Sequence, residues 1–237
     1  VHTVPEMPDL GTGLRAAGVA YDNLMAPKAV LLGAIAACAS LAWAIISGLI
    51  KVVFTKLGLA LERCCGGSGR NVGLCSLAGL LTGLLGYLEP MSLASGKEAM
   101  IPTILHSSDL AQHASLTQLS TSALLWIALA KAASYGVAAA GGMVGGPLFP
   151  ILYFGVVVGE LCARIPISWS LHPAALTVPV VMVAVPSAVF PMPFTMVSIP
   201  LSYFRLGPLW CVPILVGIMT SYTLVVGTGL VRKLAKA

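Results

Sequence analysis

Charge is what this sequence has least of. Thirteen Lys and Arg and eight Asp and Glu are spread over 237 residues, 9% of the chain. A soluble domain carries about 25%. Mean hydropathy is +0.96, which excludes an ordinary soluble globular protein. The sequence also lacks metal-site spacing. Its six cysteines (Cys38, Cys64, Cys65, Cys75, Cys162 and Cys211) include a vicinal pair but no CxxC, so neither a zinc site nor a disulfide framework is expected. No HExxH occurs, and no histidine falls firmly in an apolar run beside a serine, so an intramembrane hydrolase is not expected. The chain is read as no enzyme, with no cofactor. A basic n-region followed by an apolar core is missing at the start, so residues 1–26 are no signal peptide. They read as a connecting segment, and the start at Val1 suggests a fragment.

What is present is a series of long uncharged runs. Ala29–Ile50 spans 22 residues between Lys28 and Lys51, and Asn71–Leu88 spans 18 between Arg70 and Glu89. Seventeen follow between His113 and Lys131, 28 between Lys131 and Glu160, 40 between Arg164 and Arg205, and 26 between Arg205 and Arg232. A bilayer-crossing helix needs about 20 apolar residues, and open sheets leave backbone groups unsatisfied in lipid. The fold class is therefore all-α, a polytopic membrane protein, with residues 27–237 forming one transmembrane unit. The net charge of +5 reads as loop charge that orients the chain, with lipid as its partner and no nucleic acid. Arg232, Lys233 and Lys236 close the chain after an apolar run, which predicts a cytoplasmic C-terminus.

Along the chain, a first helix is expected over 27–61. A glycine loop (CCGGSGR, 64–70) and a second helix ending near Leu88 follow. His106 and His113 bracket Asp109 in a polar segment and read as solvated loop residues. Nine prolines lie between Pro166 and Pro213. Each interior proline removes a hydrogen bond, so short broken helices are expected. At membrane depth these are tolerated where they pack in protein or line a cavity.

The most informative stretch is GGMVGGPLFP, 141–150. Gly145-Gly146 allows a sharp turn and close approach to the backbone, and Pro147 or Pro150 suits the first turn of a helix. Ile151–Gly159 continues as an apolar helix. A buried helix N-terminus holds an anion with unpaired N–H groups and the helix dipole. A glycine hinge that only packs two helices is the competing reading.

Lys131 through Gly159 resembles the CLC family of chloride channels and chloride/proton exchangers, matching at Lys131, Gly142, Gly145, Gly146 and Pro150. Further resemblances are Val4–Leu10, Leu88–Ala99 and Pro193-Phe194-Thr195, in the family's order. The resemblance implies the second of two inverted repeats, roughly helices J to Q, with a first repeat and its gating glutamate missing. It implies chloride transport, voltage gating or antiport, and a homodimer contact through Leu209–Val226. Gly145, Gly146, Leu148 and Phe149 would form half of the anion site. Lys131 would add positive potential or simply snorkel to the interface, and Glu160 would lie at an aqueous boundary.

Departures are also present. The two amides the family offers align with Pro147 and Leu148, and proline has no N–H; a shift by one residue gives Leu148 and Phe149. Val181-Met182-Val183 stands where the family has a Gly-x-Gly turn. Ser202 stands for an acid, and Pro191 for a base. A non-conducting structural subunit or orphan repeat that dimerises is the alternative reading.

Overall fold

A computed structural model describes residues 25–93, 116, 119–143, 145–164, 173–190, 192–203 and 211–229. The side chains of residues 25–26, 61, 63–70, 173–176 and 202–203 lie outside that description. The segments 1–24 and 94–115, including His106 and His113, and the basic tail lie outside it as well, as does Pro191.

Every regular element among the described residues is helical. In chain order they are α1 (Met25–Leu88), a short 3-10 turn (Pro90–Ser92), α2 (Thr121–Ala140), α3 (Leu148–Ala163), α4 (Pro173–Ser187), α5 (Pro193–Tyr203) and α6 (Cys211–Tyr222), which runs into a π-helical turn, Thr223–Gly227. By length and composition, Pro27–Ala60, Asn71–Leu88 and Thr121–Ala140 are each able to cross a membrane. Three shorter apolar segments, Leu148–Ala163, Thr177–Ser187 and Cys211–Gly227, accompany them.

The glycine loop expected at 64–70 is instead helical, within the 64-residue α1. The two expected arms are nevertheless there. In a straight helix Phe54 and Leu74 would stand about 30 Å apart. They line one cavity of about 200 Å³ together with Ala140. Gly136 of α2 abuts Ser47 and Ile50, while Gly141, just beyond α2, abuts Leu74 and Ala78. Helix α1 is therefore bent sharply back on itself between Phe54 and Leu74. The run GGSG, 66–69, lies in that interval, and glycine–serine pairs are a common cause of such kinks. Backbone hydrogen bonding continues through a bend that the composition alone reads as a loop.

The centre of the fold is α3 packed on α4. Residues 151–157 of α3 are all buried, as are 177–188 around the second half of α4. Apolar side chains on every side make α3 a helix that must be enclosed. Pro179 and Pro186 sit inside α4 and Pro200 inside α5, and these helices are 15 and 11 residues long, as the proline density predicts. Pro186 offers no N–H to the Met182 carbonyl four residues back. Gly155 of α3 packs on that carbonyl, where a Cβ would stand 2.8 Å from its oxygen. Gly159, one turn on, meets Val178 in the same way, at 2.9 Å from its Cα. Small residues one turn apart allow this backbone-to-backbone approach. Val181, Met182 and Val183 are buried mid-helix here, so no glycine turn occurs at that position.

Helix α1 packs along α2, α6 and α4. Ser40 contributes a polar tie, its hydroxyl lying 2.7 Å from the Ala36 carbonyl and 2.8 Å from that of Val185. Trp43 stacks on Tyr135 and meets Phe154 edge-on, joining α1, α2 and α3 in one apolar core. Helix α6 buries Ile214, Gly217, Ile218 and Ser221 and leaves Val212 and Met219 exposed.

Gly155→Ala is expected to destabilise the protein by about 1–3 kcal/mol through overpacking. Gly83→Ala, whose added methyl meets nothing, is expected to be neutral or slightly stabilising through helix propensity. Melting temperatures of the two variants in detergent check this; equal melting would remove the close-packing account of the α3–α4 contact.

Candidate functional site

Helix α2 starts at a serine cap, the Ser120 hydroxyl accepting from the Ala123 amide at 3.2 Å. It ends at Gly141, whose N–H donates to the Val137 carbonyl at 2.9 Å. Gly142 follows with φ of +83°, a left-handed conformation that a side chain disfavours. The chain thereby reverses out of α2, and Met143 N donates back to Ala138 O at 3.0 Å. A Cβ on Gly141 would stand 2.2 Å from that of Ala78, so this turn is pressed against the second arm of α1.

Gly145 and Gly146 are exposed, with nothing within 4 Å of where a Cβ would stand on either. Pro147 is the cap residue of α3, with no side-chain cap bond. Its carbonyl accepts the first intrahelical bond, from Ile151 N at 3.1 Å. In any α-helix the first amides lack a carbonyl four residues back. Here Pro147 and Pro150 occupy two of those positions and carry no N–H. The amides of Leu148 and Phe149 are the two left at this helix end. Leu148 is half-buried and Phe149 is 46% exposed. The start of α3 thus combines an open glycine approach with two consecutive N–H groups and the positive end of a helix dipole.

Lys131 does not snorkel. It is 2% exposed, and its Nζ donates to the carbonyls of Ser92 (3.0 Å) and Leu93 (3.3 Å). The ammonium also lies 5.3 Å from the centre of the Tyr153 ring on α3. Snorkelling requires a route from the stem to water, and the Pro90–Leu93 segment closes that route. Ser134, one turn along α2, donates its hydroxyl to the Lys131 carbonyl at 3.1 Å.

Glu160 is not a boundary residue exposed to water. It is 5% exposed, and its Oε1 accepts from the Arg164 guanidinium at 3.4 Å. Arg164 also donates to the carbonyls of Leu116, at 3.0 Å, and Leu119. Those carbonyls immediately precede α2. The C-terminal end of α3 is thereby fastened to the approach to α2, and the charge of Glu160 is compensated by its neighbour four residues on. Position along an ideal helix axis placed Glu160 at a surface; the packing of other segments covers it.

No cluster of three or more metal-ligating side chains occurs among the described residues. The arrangement offers two backbone amides at a helix start and, on the flank of the same helix, a buried lysine.

The sequence model of the family described as voltage gated chloride channel matches residues 18–226. The chain belongs to this family. The match covers nearly nine-tenths of the 237 residues and includes the bent α1, the GGMVGGPLFP loop and every later helix. Members of the family are integral membrane channels and transporters, in keeping with the apolar helices described above. No curated protein matches the chain. Of the residues singled out in the sequence, Gly145, Gly146, Leu148 and Phe149 lie one after another at the start of α3. The fold sets Lys131 to the flank of that helix. Tyr153, Ser92 and Leu93 are among the neighbours of Lys131; no motif marked them, because two of the three act through backbone carbonyls.

Gly142→Ala is expected to cost about 1–2 kcal/mol, because an L side chain is strained at positive φ. Gly145→Ala, with open space and no such constraint, is expected to be near neutral. Thermal melts in detergent compare the two, and equal losses would contradict the turn geometry.

Proposed function

We propose that the protein carries chloride or another small anion across a membrane as part of a CLC-type channel or exchanger. The anion is held by the Leu148 and Phe149 amides, with Gly145 and Gly146 keeping the approach open. The observation that carries this reading is the start of α3: two consecutive N–H groups without intrahelical acceptors, between two prolines and next to an exposed glycine pair. Two amide donors and a helix dipole offer partial positive charge without a full countercharge, so an anion is held weakly enough to leave. The exposure of Phe149 and of the glycine pair fits a half-site that a second repeat covers. Helix α6 presents Val212 and Met219 outward and is the proposed homodimer face. The protein works as a transporter and not as an enzyme.

A non-conducting structural subunit is the second reading. Pro147 favours it, since that residue removes an N–H from the position where relatives in the family offer one.

Flux in proteoliposomes separates the two. Gly146→Trp is expected to lower chloride flux at least about tenfold with folded yield unchanged, because its side chain enters open space and not the core. Replacing the Phe149 amide by an ester is expected to weaken anion affinity about tenfold, the scale of one hydrogen bond to a charged group. Stable, folded wild-type dimers without flux would favour the structural subunit.

A further inference from the structure

A buried ammonium within an apolar helical bundle is expensive unless its hydrogen bonds are satisfied, and such groups mark functional positions. Lys131 donates to two backbone carbonyls. The acceptors, Ser92 O and Leu93 O, belong to the segment that leaves the 3-10 turn, with Leu93 in an extended conformation (φ −75°, ψ 169°). Ser92 O also accepts from the Ser134 hydroxyl at 3.5 Å. The turn carries hydrogen bonds of its own. The Glu89 carboxylate accepts from the Met91 amide at 3.3 Å, and Leu93 N donates to Pro90 O at 3.2 Å. The Leu93 side chain packs into the gap at Gly86, where a Cβ would stand 2.3 Å from it. Lys131 thus ties this turn to the middle of α2.

Its other neighbour belongs to the pore-side helix. Tyr153 is fully buried and lies five residues after Leu148, about 7.5 Å along α3. The ammonium stands over its ring at a distance suited to cation–π attraction. These contacts, to the Ser92 and Leu93 carbonyls and to a ring of α3, make placement of α3 the direct account of Lys131.

We propose that Lys131 is a positioning residue for the anion site. Its ammonium fastens the Ser92–Leu93 segment and the Tyr153 ring to α2, and so fixes where the amide end of α3 stands. This rests on the anion-transport reading above. The amides of Leu148 and Phe149 recognise an anion by direction and separation, so a small displacement of α3 changes which anion fits before it changes whether the protein folds.

The test uses Lys131→Met, which keeps the stem and removes the charge, and Lys131→Arg, which keeps donors for both carbonyls. Each is reconstituted in proteoliposomes, and the nitrate-to-chloride permeability ratio and the half-saturating chloride concentration are measured. Both readouts are independent of how much protein folds. Lys131→Met is expected to raise the half-saturating concentration about tenfold and to change the permeability ratio. Lys131→Arg is expected to return both toward the wild type. If Lys131→Met does not fold, Tyr153→Leu, which leaves the ammonium in place, is expected to shift the permeability ratio in the same direction. An unchanged ratio and half-saturation in Lys131→Met, whatever happens to its melting temperature, overturns the proposal. So does an arginine variant that behaves as the methionine one does. Wild-type protein that passes no anion overturns the transport reading and the positioning role with it.

Discussion

Two backbone amides, those of Leu148 and Phe149, begin a helix that the rest of the chain is built to enclose. In an apolar surrounding, an N–H without an acceptor is costly. Most proteins meet that cost at a helix start with a serine or aspartate cap, as α2 does with Ser120. Helix α3 has no such cap bond. Prolines at 147 and 150 instead reduce the number of amides that need acceptors to the two between them. A helix start arranged this way leaves its two amides to water or to a bound acceptor, and the anion proposed above is such an acceptor.

The position of that amide end depends on three contacts along α3, each of a different kind. Near the middle, Gly155 and Gly159 allow backbone contact with α4, which sets the distance between the two central helices. At the far end, Arg164 holds the carbonyls of Leu116 and Leu119 and compensates Glu160. On the flank, Tyr153 meets the ammonium of Lys131. Polar ties of this sort contribute little net stability in a bundle. Their value is directional: apolar packing alone would permit α3 to slide or rotate, and hydrogen bonds to fixed carbonyls do not.

Much of this was legible in the sequence, and the parts that were not have a common cause. The all-helical membrane class followed from the spacing of 21 charged residues. The broken helices after Pro166 followed from proline chemistry, and the helix start at 148 from two glycines and two prolines. These are local properties that a chain carries wherever it folds. The burial of Lys131 and Glu160 was not legible, because their surroundings are not local. Lys131 is covered by a segment 38 residues earlier, and Arg164 beside Glu160 reaches back to Leu116, 48 residues away. The loop expected at 64–70 failed differently. Glycine content signals a bend correctly, but it does not say whether the helical hydrogen bonds continue through that bend.

The same distinction explains why the departures at Pro147 and at Val181–Val183 differ in weight. At 181–183 bulky residues occupy a buried helix interior, where their volume fills the core and no donor is required of them. At 147 a proline takes away an N–H that a recognition site would use, which is a chemical loss. Helix α3 begins at Leu148, and the two N–H groups left at its start are those of Leu148 and Phe149. A shift of one residue turns a helix by about 100° and advances it by about 1.5 Å. On the proposed reading, an anion held by that pair would sit on a different side of the helix mouth from one held at 147 and 148. A partner repeat completing the proposed site would have to meet it there, and the contacts of Tyr153 and Arg164 set where α3 stands.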